Sequence, residues 1–141
     1  MSAPRKHVVW DIVGTVMSYD SMFEALESRL GERLREHNIE PELLGLAWNE
    51  IAERDYTFLS ISGKYVPYYK IVRRVLYRIL AMMGIEDPRQ FVSEQDLDYL
   101  TQQSAELKAR PGAKECWEKL RAAGFTLWAF TAEMRRVFKR N

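Results

Sequence analysis

The chain holds a single cysteine, Cys116, so no internal disulfide can brace it, and a reducing intracellular setting is the expectation. It has no apolar stretch approaching the roughly 18 residues of a membrane span. Residues 1–6 lack the apolar core of a signal peptide. The chain therefore reads as cytoplasmic, with no membrane partner. Excess charge of either sign is also missing: 21 Lys and Arg stand against 20 Asp and Glu, for a net charge of +1. Electrostatics thus give no support for nucleic acid as a partner. Internal repeats and low-complexity tracts are absent as well. What is present is the composition of a folded domain: 47% hydrophobic and 29% charged residues over 141 positions, within the roughly 100 to 200 expected of one domain.

The most informative stretch is His7-Val8-Val9-Trp10-Asp11, followed by Ile12-Val13-Gly14-Thr15. A short, continuous apolar run with β-branched residues predicts a strand covered on both faces in a parallel sheet. Ligands of such sheets bind beyond the carboxyl ends of the strands. Asp11 stands at that end, where it serves either as nucleophile or general base or as the side chain of an Asx-turn. Gly14 supplies a free turn and Thr15 a hydroxyl for an anion.

Helical periodicity follows. Met22, Phe23, Leu26, Leu30 and Leu34 predict a helix over 20–37, with Ser18 or Asp20 as its N-cap. Pro41 opens a second that ends before Gly63, and a third runs over 67–83 to Gly84. Ser93-x-x-Asp96 is a capping pattern that starts a helix over 93–107. Arg110-Pro111-Gly112 reads as a hinge, 113–123 as another helix, 125–130 as a second buried strand ending at Thr131, and 132–140 as a last helix that Thr131 can cap. Cys116, beside Trp117, is expected as a small buried hydrophobe. The order is α/β: a partial Rossmann-like core with parallel strands near 7–11 and 125–130, assigned to residues 1–17 and 109–141, interrupted by a large helical insert over 18–108.

The D-x-x-G-T stretch at Asp11 resembles the first motif of the haloacid dehalogenase-like superfamily, and Phe125 to Thr131 resembles its second, a Ser or Thr at a strand end. Glu53-Arg54-Asp55-Tyr56-Thr57-Phe58-Leu59 is similar to the E-Y-T-[WF]-L segment of type II 2-haloacid dehalogenases, a likeness that Gly63-Lys64-Tyr65 and Tyr68-Tyr69 extend. The resemblance implies a cofactor-free, metal-free hydrolase with a helical cap and a small carboxylate-bearing substrate. Asp11 is then the nucleophile, with Thr15 and Thr131 completing the catalytic set, while Ile12, Val13, Ala132 and Tyr56 bind substrate. Val13 occupies the place of the second acid of the phosphatase branch and cannot protonate a leaving alkoxide. A metal-dependent phosphatase is the weaker reading for that reason, whereas a halide leaves without a proton.

Departures from the pattern shape the alternatives. The family's carboxylate-clamping arginine, six positions before the tyrosine of E-Y-T, falls on Glu50, which repels an anion; Arg54 is the nearest substitute. The second motif continues Thr131-Ala132-Glu133 in place of Ser-Asn-Gly, so an amide donor is lost. Family members continue with strand and helix units that carry a lysine and water-activating acids, and Lys139 and Arg140 do not match them. The expectation is a truncated chain, or a homodimer that completes its two-stranded sheet from a second copy. The alternative function is a catalytically dead helical binding protein derived from this family.

Overall fold

The computed structural model describes residues 6–131. Ala132, Lys139, Arg140 and the helix expected over 132–140 lie outside the described residues. In chain order the elements are β1 (Lys6–Asp11), β2 (Met17–Ser18), α1 (Asp20–Glu36), α2 (Pro41–Ile61), α3 (Tyr68–Met82), α4 (Pro88–Phe91), α5 (Glu94–Ser104), β3 (Lys108–Ala109), α6 (Ala113–Ala122) and β4 (Phe125–Phe130). The architecture is α/β. The chain divides into two units, Met1–Asp20 with Leu107–Asn141 and Ser21–Glu106.

The first unit is built on a parallel pair, β1 with β4, in a register that sets Lys6 opposite Phe125 and Asp11 opposite Phe130. Side chains alternate across a strand, so Val8, Trp10 and Leu127 share one face. That face carries α6, whose Trp117 meets Trp10 edge-on at 6.4 Å and 70°. Two expectations fail here. The strands are not covered on both faces: Val9, Trp128 and Phe130 are 64%, 54% and 69% exposed. Among the described residues only two strands pair in this ladder, and α6 lies on the opposite face. Cys116 is exposed rather than buried. The half-buried positions of α6 are Ala113, Trp117 and Leu120, spaced by four and three, and Cys116 sits about 100° around the helix from Trp117.

A second, two-residue ladder was not legible in the pattern. β2 and β3 pair antiparallel, Met17 with Ala109 and Ser18 with Lys108. Ser18 is therefore a strand residue, not the cap of α1; it is 2% exposed and its hydroxyl donates to the Lys108 carbonyl at 3.3 Å.

The second unit is helical, and the apolar stripe read from the sequence for α1 lies in its core. On α2, by contrast, Leu43 and Phe58, read as lining the inner side, are 61% and 62% exposed, and Trp48 and Ala52 are buried beside Leu44. Met22, Leu26, Leu30 and Leu34 of α1, Leu44, Trp48 and Ala52 of α2, and Val72, Val75, Leu76, Ile79 and Leu80 of α3 are all buried. Leu97 and Leu100 bury the inner side of α5. The cap expected at Ser93 is formed reciprocally: its hydroxyl oxygen accepts from the Asp96 amide at 3.0 Å and its hydroxyl donates to the Asp96 carboxylate at 2.8 Å. α5 stops at Ser104, short of the expected 107, because the chain turns into β3. α4, a single turn between Asp87 and Val92, is too short for periodicity to reveal.

α1 and α2 approach closely at Gly45. A Cβ built there would stand 2.6 Å from the Phe23 ring and 3.0 Å from Leu26 Cδ1. Gly45→Ala is expected to lower stability by about 1–3 kcal/mol through overpacking, despite the better helix propensity of alanine. Urea denaturation checks this, and a variant as stable as the parent would contradict the packing.

Candidate functional site

The site grows out of the end of β1. Strand residues Val8 to Asp11 are held extended by the ladder to β4, and the chain then reverses within five residues. The Ile12 carbonyl accepts from the amides of Val16 at 3.0 Å and Met17 at 2.9 Å, and the Gly14 amide donates to the Met17 carbonyl at 2.9 Å. Gly14 adopts φ +79°, a left-handed conformation that a side chain resists. This reversal returns Thr15 to the residue four positions before it. The Thr15 hydroxyl lies 2.5 Å from Asp11 Oδ2. An ionised carboxylate only accepts, so the threonine donates, and the distance is that of a charge-assisted O–H···O⁻ bond. The hydroxyl proton is thereby directed at Asp11 and not at open solvent.

Register places Thr131 at the same end. Phe130 is opposite Asp11, so Thr131 follows β4 as Ile12 follows β1, on strands about 4.8 Å apart. Thr131 is half-buried. Ile12 is 4% exposed. Val13 is half-buried and bridges Met17, with no acid in its place. Asp11, Thr15, Thr131, Ile12 and Val13 thus share one sheet end. Asp11 itself is exposed.

Two groups escaped the sequence reading. Arg110, taken as part of a hinge, donates its backbone amide to the Val16 carbonyl at 2.9 Å and its guanidinium Nη2 to the Gly14 carbonyl at 3.1 Å. Asn49, the residue before Glu50, lines a small cleft in the helical unit with Met22, Trp48, Ala52, Tyr68, Val72 and Ser104. It accepts from the Tyr68 hydroxyl at 3.2 Å. An arginine before a Pro-Gly turn carries no sequence signal of a contact ninety-six residues away, and an asparagine beside a buried tryptophan carries none of a cleft.

Tyr56 belongs to the helical unit, where it packs edge-on against Tyr65 at 6.1 Å and Tyr68 at 5.7 Å. Glu50 and Arg54 are exposed on α2. Among the described residues no group of three His, Cys, Asp or Glu side chains gathers to hold a metal ion, and no helix is long and apolar enough to cross a membrane.

Solved structures share this fold. L-2-haloacid dehalogenase from Xanthobacter autotrophicus superposes with a TM-score of 0.70 at 21% identity, over 95% of this chain and 49% of that one. The same enzyme with chloropropionic acid covalently bound gives 0.70 at 20% identity, over 95% and 49%. A further L-2-haloacid dehalogenase gives 0.73 at 18% identity, over 96% and 56%. The chain thus spans about half the length of the structures it matches. No family model matches it, and neither does any curated protein.

Proposed function

We propose that this chain carries the nucleophilic half of a haloacid dehalogenase-like hydrolase, with Asp11 acting on a small carboxylate-bearing substrate and no cofactor or metal. The observation that carries this reading is the Thr15–Asp11 hydrogen bond at the end of a parallel strand, in a fold shared with L-2-haloacid dehalogenases. One of those structures holds chloropropionic acid covalently. Thr15 fixes Oδ2, which leaves Oδ1 to attack. Oδ1 bonds to the electrophilic carbon, the carbon–halogen bond breaks, and the halide departs with the bonding pair. No proton is transferred, so the apolar Val13 suffices.

In this reading Thr131 and the backbone amides of Ile12, Val13 and Ala132 take the substrate carboxylate, and the resemblance assigns Tyr56 to substrate binding as well. Residues 1–17 and 109–141 form the core in this reading, and 18–108 the cap. Water adding to the ester carbonyl would restore Asp11 and release a hydroxy acid. The resemblance assigns that step to a lysine and water-activating acids. Since the exposed Cys116 is itself open to alkylation, it is first capped with a maleimide. Incubation with 2-chloropropionate is then expected to release at least about one chloride per chain. Absence of chloride above the blank overturns the reading.

A second reading has its own support. Val9, Trp128 and Phe130 leave an apolar sheet face open, as in a binding protein without catalysis or a homodimer that completes the sheet from a second copy. Placement in the cytoplasm and the lack of a nucleic-acid partner rest on composition alone.

A further inference from the structure

We propose that Arg110 is a positioning residue for Asp11. The inference deepens the nucleophile reading above and rests on it. Two bonds from one residue grip the loop that follows β1: the Arg110 amide to the Val16 carbonyl at 2.9 Å and the guanidinium to the Gly14 carbonyl at 3.1 Å. The neighbouring β2–β3 pair and the part-buried Ser18–Lys108 bond deliver Arg110 to that place. Arg110 is thus held by its backbone on one side of the turn and reaches across it with its side chain.

The guanidinium acts on one peptide group. Gly14 stands at φ +79°, and no side chain at that position restrains the plane of the Gly14–Thr15 peptide. A cation on the Gly14 oxygen sets that plane, and the plane sets where Thr15 begins. Thr15 in turn holds Asp11 Oδ2 at 2.5 Å. The chain of contacts runs Arg110, Gly14, Thr15, Asp11, and its product is one fixed carboxylate oxygen with the other presented to substrate. Withdrawal of electron density from the Gly14 carbonyl also polarises the Thr15 amide in the same peptide, which strengthens it as a donor. Arg110 does not touch the reacting atoms in this scheme.

Two variants of the chain test this, Arg110→Gln and Arg110→Lys. Lysine retains a cationic donor for the Gly14 carbonyl, whereas glutamine keeps a weaker, neutral one. Hydrogen exchange of the Gly14 and Met17 amides is expected to quicken about 5- to 10-fold in Arg110→Gln and to stay near the parent in Arg110→Lys. In the alkylation of Asp11 by 2-chloropropionate, the rate at saturating reagent should fall about 5-fold in Arg110→Gln with the half-saturating concentration nearly unchanged, and lysine should restore it. Exchange unchanged in Arg110→Gln overturns the proposal. So does a raised half-saturating concentration with an intact saturating rate, which would make Arg110 a clamp for the substrate carboxylate. If the parent chain is never alkylated at Asp11, the nucleophile reading falls by itself, and the positioning of Asp11 for reaction falls with it whatever the exchange rates.

Discussion

Asp11→Asn is expected to slow ester formation with 2-chloropropionate by about 10⁴-fold or more, the scale seen when a covalent nucleophile is removed. The amide has no anionic oxygen to attack carbon, so the loss falls on the chemical step. The fold should be untouched. Asp11 is exposed, and the asparagine carbonyl still accepts from the Thr15 hydroxyl, so the turn from Ile12 to Met17 keeps its three backbone bonds. Kinetics of mass gain together with a thermal melt check both halves. An Asp11→Asn chain that labels as fast as the parent would place the chemistry elsewhere.

Trp48→Ala carries the largest expected effect on stability, about 3–5 kcal/mol. The indole of Trp48 is fully buried in the helical unit, and its Nε1 donates to the Val72 carbonyl at 2.8 Å. Truncation removes that bond and opens a void bounded by Met22, Ala52, Tyr68 and Val72, which the surrounding helices close only in part. Trp48→Phe keeps most of the apolar surface and loses the hydrogen bond, so about 1–2 kcal/mol is expected. Urea denaturation followed by far-ultraviolet circular dichroism reads the difference. A cost below about 1 kcal/mol for the alanine variant would contradict the packing around Trp48.

Much of the helical unit was legible in the sequence because burial and period coincide there. Leu26, Leu30 and Leu34 recur at one face of α1 and all three are buried. Pro41 starts α2 and Ser93 caps α5, since each residue has one strongly favoured place in a helix. The strand ends were legible for a different reason: β-branched and aromatic runs stop at Asp11 and Thr131, and the parallel register sets those stops side by side. Features that escaped depend on contacts between distant segments. Nothing local distinguishes Met17–Ser18 or Lys108–Ala109 as strands, because a two-residue ladder exists only where the two segments meet. Arg110 was hidden in the same way. Its role lies in the Gly14 carbonyl, not in the Pro-Gly turn beside it. Val9 and Cys116 misled because apolar character was taken to mean burial, and a strand pair with α6 on one face buries only alternate residues.

The central claim is that Asp11 is a nucleophile, and a peptide map of the chain after reaction with 2-chloropropionate tests it most directly. The expected result is a carboxyethyl group on the peptide that contains Asp11, removable by hydroxylamine as an ester is and lost in Asp11→Asn. Label confined to Cys116 as a hydroxylamine-stable thioether, with Asp11 unmodified, would contradict it.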